Sequence, residues 1–278
     1  MFLKKRFEQK EINGVQMGNG LLSFRGVNLN VHSFFIDGVL IDTGAKSLES
    51  YFKPFFNQLN IEQVVITHYH EDHTGNASYL QKTLGVPLYM NQGMIESCKT
   101  KADYPWYRKF FWGKRKPFIA NPIGDSFTSK RATWNVIKTP GHSRDHLSFL
   151  NNETGQLFTG DIFVNEKVKV ILQEEHIPDT IESLQKILTY DFKEVFCNHA
   201  GHLSDGYHSL KTKLNHLTEL QDRILHLYHE GRSSDEINQI LFPRKYPITK
   251  LSLGEWDSLH IVESVINHEA KENAYQAR

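Results

Sequence analysis

Cysteine is scarce in this chain: its 278 residues include only Cys98 and Cys197. A disulfide-built scaffold is thereby excluded, and two reduced thiols suit a cytoplasmic protein. Net charge is missing as well, since 32 Lys+Arg balance 32 Asp+Glu. No bulk electrostatic pull toward nucleic acid or an anionic membrane follows from such a balance. Nor does any stretch approach the ~18 consecutive apolar residues that a bilayer-crossing helix needs. The opening stretch, residues 1–11, is charged nearly throughout and lacks an apolar centre, so it does not read as a secretory signal. No Gly-x-Ser-x-Gly elbow for a serine nucleophile occurs. The expectation is a cytoplasmic protein with neither nucleic acid nor membrane as partner. Its oligomeric state is open, a homodimer being one arrangement available to it. Histidine, by contrast, is abundant, with 15 in the chain.

The first two-thirds reads as strands alternating with helices and turns. Residues 31–41 are two apolar runs joined by Asp37-Gly38, a dipeptide that accepts the positive φ values of a tight hairpin turn. Val64-Val65-Ile66 is a short β-branched run that suits a buried strand. Residues 76–84 place Leu80 and Leu84 a helical turn apart, with Gly85 as a stop signal, and 86–90 resumes as a strand. Residues 134–139, 146–150 and 156–159 read as strands, 179–190 as a helix, and 194–196 as a short strand. This order suggests sheets covered by helices rather than an all-β sandwich. From about residue 204 the spacing becomes helical, through Leu210, Leu214, Leu217, Ile224 and Tyr228 to Gly231. Ser233 and Glu236 then form a capping-box pattern, and Leu259, Val262 and Ile266 define a last helical face.

Residues 67–75 read Thr-His-Tyr-His-Glu-Asp-His-Thr-Gly. Three imidazoles and two carboxylates so close behind a buried strand would cost stability if left unpaired. Metal coordination removes that conflict, because neutral imidazole and carboxylate are natural ligands of zinc and its neighbours. In an extended loop His68 and His70 point the same way, while Asp72 and His73 can open the following helix. Three later segments also place a ligand-type side chain behind a strand and a turn: Gly141-His142, Gly160-Asp161 and Asn198-His199.

With these motifs in this order, the sequence resembles the metallo-β-lactamase superfamily. The resemblance rests on His-x-His-x-Asp-His at 68, 70, 72 and 73, on His142, Asp161 and His199, and on the Asp42-Thr43-Gly44 turn. It covers about residues 12–205. What it implies is an α+β fold, an αββα sandwich of two mixed sheets with helices outside, and a dinuclear metal site at one edge. The expected division is a catalytic domain over 1–205, carrying a basic aromatic insertion at 91–120, and a helical C-terminal region over 206–278. Carried over residue by residue, His68, His70 and His142 would hold one metal, and Asp72, His73 and His199 the other. Asp161 would bridge the two. His199 is preferred to His202 because it falls where the family's last Gly-His does, although Asn198 replaces the usual small residue before it. The remaining histidines, His32 and His146 among them, read as surface or packing residues.

Two divalent ions lower the pKa of a shared water toward neutrality, which implies a hydroxide that attacks a carbonyl and a metal that stabilises the oxyanion. The resemblance implies Asp72 and Asp161 as the catalytic carboxylates, and a small-molecule substrate, a thioester, lactone or related ester. The donor set suits zinc first, with iron or manganese also compatible. A nuclease or phosphodiesterase of the same superfamily is one alternative, but 38 positions from Asp161 to His199 leave no room for the domain many such nucleases insert there. An iron-dependent persulfide dioxygenase-like enzyme, using His68, His142 and Asp161, is another. Within the insertion, Tyr104, Trp106, Tyr107, Phe110, Phe111 and Trp112 alternate with bases such as Lys99, Arg108 and Arg115. Such a segment is either an amphipathic arm resting on the body or a lid that selects substrate.

Overall fold

The computed structural model describes residues 2–276, so the last two residues of the C-terminal helical region lie outside it. By its internal contacts the chain forms two compact units. One comprises Met1–Lys138, Asp145–Val164 and Phe192–Gly206; the other comprises Thr139–Arg144, Asn165–Asp191 and Tyr207–Arg278.

The first unit opens as an antiparallel meander of β1 (Lys4–Ile12), β2 (Val15–Phe24), β3 (Val27–Ile36) and β4 (Val39–Ile41). Its two-residue turns, Asn13-Gly14, Arg25-Gly26 and Asp37-Gly38, all have positive φ at both positions. That geometry matches the right-handed twist of the flanking strands. Helix α1 (Glu49–Asn57) then carries the chain across to β5 (Gln63–Val65), parallel to β4. Helices α2 (Glu71–Thr74) and α3 (Ala77–Thr83) lead to β6 (Leu88–Met90), and α4 (Ile95–Cys98) and α5 (Trp106–Trp112) lead to β7 (Asn121–Pro122). The seven strands lie in sequence order.

A second sheet takes β8 (Ser126–Thr128), β9 (Thr133–Lys138), β10 (Leu147–Asn151) and β11 (Gln156–Phe158), neighbours running antiparallel. The chain next supplies β12 (Ile171–Leu172) and α6 (Ile177–Ile187) to the second unit. It returns as β13 (Glu194–Cys197), parallel to β11, and β14 (Gly201–Leu203), antiparallel to β13. The two sheets pack face to face. Val15, Phe34, Ile41 and Val65 of the first meet Trp134, Phe149, Phe158 and Phe196 of the second. The Phe34 ring lies 5.5 Å from Phe158 and 5.8 Å from Phe196. Each such fully buried side chain contributes about 1.5–3 kcal/mol through apolar area removed from water.

On the outer face of the first sheet, α1 sits directly on β2. A Cβ at Gly20 would fall 3.0 Å from Phe52, and one at Gly18 would fall 2.9 Å from Phe55. Glycine at both positions is what lets the helix approach so closely. The expected α+β sandwich with C-terminal helices is therefore present.

In the second unit, α6 is followed by α7 (Gly206–His229), α8 (Ser234–Leu241), α9 (Pro247–Leu251), β15 (Trp256–Asp257) and α10 (Leu259–Gln276). The β12 and β15 segments pair antiparallel. The capping box opens α8 as the sequence reads: Ser233 N donates to Glu236 Oε2 at 2.8 Å, and Glu236 N donates to Ser233 Oγ. Leu210, Leu214, Leu217 and Ile224 are buried as their spacing predicts, whereas Tyr228 is exposed. Among the described residues, no helix is long and apolar enough to cross a membrane.

Candidate metal centre

The polar residues of interest in the first unit follow the C-terminal ends of four strands. Asp42 follows β4, the segment 67–73 follows β5, Asp161 follows β11 and His199 follows β13. Because β4 runs parallel to β5 and β11 runs parallel to β13, each pair delivers its side chains to the same end of its sheet.

Asp42 is the anchor. It is completely buried, with φ +57°. Its Oδ1 accepts from Thr67 N at 2.8 Å, and its Oδ2 accepts from Thr67 Oγ1, Asn198 Nδ2 and His73 Nδ1 at 2.7, 2.8 and 2.8 Å. A carboxylate that accepts Nδ1–H fixes the tautomer of His73 and turns Nε2 outward as a lone-pair donor. That Nε2 has no hydrogen-bond partner although it is buried. It faces Asp161 Oδ2 at 3.3 Å and Asp72 Oδ2 at 3.7 Å.

His199 completes this group. Its Nε2 lies 2.8 Å from Asp161 Oδ2 and 3.6 Å from Asp72 Oδ2, and its Nδ1 donates to the Asn30 carbonyl. The ligand-type atoms of Asp72, His73, Asp161 and His199 all lie within 4.8 Å of one another. Two buried carboxylates converging on two imidazoles is a donor set suited to a divalent cation. In the protein alone, protons take that part. Burial opposes charging His73, but the carboxylates of Asp161, Asp72 and Asp42 outweigh it and raise His73 well above the usual histidine value. His199 is likewise pushed up to about 9, Asp161 being the strongest influence against the penalty of burial. For Asp161, burial works against ionisation, yet His199 and His73 hold its carboxyl well below the usual range.

His68 and His70 stand beside this group. The Thr67 hydroxyl donates to Asp42, so His68 Nδ1 donates to the Thr67 oxygen at 3.0 Å, leaving His68 Nε2 facing His70 Nδ1 at 3.0 Å. The His68 ring lies 4.1 Å from that of His73. His70 caps α2 in extended geometry, and its carbonyl accepts from His73 N and Thr74 N. The turn from strand to helix therefore falls inside the motif and separates His68 and His70 from Asp72 and His73. His142 belongs to the second unit, where it is buried with Nδ1 3.1 Å from Glu175 Oε2. Glu175 is itself held by Leu172 N at 2.8 Å. His202 lies apart from the Asp161 group, with Nε2 3.8 Å from Glu194.

Two histidines that read as ordinary packing residues support the centre. His146 Nε2 accepts the Asp161 backbone N–H at 2.9 Å, and its ring lies 5.1 Å from His68. Its signal in the sequence is its place four residues after His142. His32 Nδ1 donates to the Asn198 carbonyl at 2.9 Å, and Asn198 Nδ2 donates back to His32 O. Asn198, the departure from the family pattern, thus ties the His199 turn to both β3 and Asp42. Cys197 is buried, which pushes its thiol up and leaves it a packing residue.

A family model described as the metallo-beta-lactamase superfamily matches residues 27–254. A beta-lactamase-like protein 2 homolog of Drosophila melanogaster is 26% identical over 68% of this chain and 64% of its own length. A thioesterase of Emericella nidulans, pkgB, is 31% identical over 51% of this chain and 37% of its own. The chain thus spans less than two thirds of the length of either relative. Among solved structures, a metallo-beta-lactamase family protein from Thermus thermophilus superposes with a TM-score of 0.63. It is 16% identical and covers 98% of this chain and 94% of its own, a likeness of fold alone.

Proposed function

The chain belongs to the metallo-beta-lactamase superfamily, and from that premise we propose that it is a dinuclear metal-dependent hydrolase acting on a thioester, lactone or related ester. The observation that carries this reading is the convergence of Asp72, His73, Asp161 and His199, with His73 oriented from behind by Asp42. In this reading those four side chains hold one divalent ion. His68 and His70 would serve the other, Asp161 would be shared between the two, and zinc is the favoured metal. The thioesterase name of the fungal relative supports the ester class of substrate.

When bound, two such ions supply a nucleophilic hydroxide at neutral pH and charge stabilisation for a developing oxyanion. The chain's own groups do the rest. Asp161, fixed through its backbone by His146, sets the spacing of the two half-sites. Asp72 turns a carboxylate oxygen toward both His73 and His199 and is placed to orient the attacking water. Asp42 keeps His73 in one tautomer, so no reorientation is needed as charge develops.

The test is turnover by the purified protein of a panel of thioesters, lactones and phosphodiesters. Hydrolysis of a thioester or lactone that a chelator abolishes supports the reading. Phosphodiester turnover alone, or oxygen consumption with a persulfide, overturns it.

A further inference from the structure

The insertion carries a connection into the ligand motif itself. Glu71 lies between His70 and Asp72 at the first position of α2, and its carboxylate is buried. Arg108, in the middle of α5, reaches it with both arms of the guanidinium: Nε donates to Oε1 and Nη2 donates to Oε2, each at 2.7 Å. A bidentate pair of this kind fixes direction as well as distance. One turn further along α5, the buried Trp112 ring lies 6.4 Å from the ring of His199. A single seven-residue helix thus touches the α2 segment that carries Asp72 and His73, and also the His199 side chain.

Around α5, the loop is locked rather than loose. The Tyr104 hydroxyl donates to Gly113 O at 2.5 Å and accepts from Arg115 N at 2.8 Å. Arg115 in turn donates to Cys98 O at 3.0 Å. Gly113, at φ +85°, sits so close to the 46–48 segment that a Cβ there would fall 2.6 Å from Ser47 N. Two of the insertion's arginines are therefore engaged inside the fold. These contacts hold the segment against the body of the first unit.

We propose that α5 is a brace for one half of the metal centre. In this role Arg108, acting through Glu71, and Trp112, against His199, are positioning residues for the Asp72–His73–His199 half-site. The inference rests on the metal reading above. Glu71 opens the helix that carries Asp72 and His73, and Trp112 lies against His199, so weakening the brace loosens that half-site more than the His68–His70 one.

Titration of the metal-free protein with cobalt(II), followed by its visible absorption, resolves the two half-sites without relying on activity. Removing Arg108 alone leaves a buried, unpaired carboxylate that can unfold the chain, so the principal variant is the double substitution Glu71→Gln with Arg108→Met. One of its two binding steps is expected to lose about 10–100-fold in affinity, the range for partners behind metal ligands, while the other changes far less. Arg108→Lys, which keeps the charge without the fork, is expected to fall between wild type and the double variant. Trp112→Leu is expected to weaken the same step as the double variant. Equal loss in both steps, or no loss in either, overturns the brace while leaving the metal reading intact. A wild-type chain that takes up no cobalt overturns both.

Discussion

His73 donates through Nδ1 to Asp42 at 2.8 Å while its other ring nitrogen faces Asp161 at 3.3 Å. One imidazole thus links a buried structural carboxylate to a carboxylate of the candidate centre. Replacing Asp42 with Asn preserves size but removes the charge, and it sets an amide N–H against one of four incoming donors. Metal affinity is expected to fall about 10–100-fold. Competition against a coloured chelator measures it, and an unchanged affinity would remove Asp42 from the account.

The two candidate last ligands separate by substitution. His199→Ala is expected to lower bound metal by one equivalent per chain, because His199 lies 2.8 Å from Asp161. His202→Ala is expected to leave metal content unchanged, since His202 faces Glu194 instead. Elemental analysis of the two variants checks both outcomes together.

Gly160 adopts φ +53°, and a Cβ there would fall 2.5 Å from His146 Nε2. Gly160→Ala therefore strains the backbone and pushes away the imidazole that holds Asp161 N. A loss of about 1–3 kcal/mol in stability is expected, readable as a lower denaturation midpoint. A midpoint equal to wild type would show that the turn accommodates the methyl group.

His32 gives a pH dependence. Burial, set against a hydrogen bond to Asn198 O, lowers its pKa from 6.5 to about 4. The unfolded chain therefore binds the proton more readily than the folded one. The stability this histidine contributes is complete above pH 6.5 and is lost as pH falls through about 4. Urea midpoints measured from pH 7.5 down to 4 are expected to drop more steeply for wild type than for His32→Gln. Parallel profiles would contradict the assignment.

Much of the architecture is legible because its signals are local. Asp37-Gly38, the β-branched run at 64–66 and the Ser233–Glu236 box each specify a turn, strand or cap within a few residues, and each lies within one residue of where its signal places it. Strand β1 escapes because its residues are almost all charged or polar and nearly all exposed, so no apolar alternation marks it. Within the centre, the 68–73 motif is legible because its residues are adjacent in sequence. Asp42 reads only as part of a turn, since its role depends on Thr67, His73 and Asn198, far away along the chain. The Glu71–Arg108 pair spans 37 positions, and neither residue signals the other. Asn198 reads as a defect in the last motif, yet its side chain joins Asp42 to the His199 turn.

The central claim concerns Asp161, with His73 and His199 on one side of its carboxylate. It is tested most directly by counting metal ions per chain in wild type and in Asp161→Ala, with thioester and lactone hydrolysis measured on the same samples. The account predicts two ions and ester turnover in wild type, and fewer than two ions with turnover lost in the variant. A single iron with oxygen consumption in wild type, or full metal content and undiminished hydrolysis in Asp161→Ala, would contradict it.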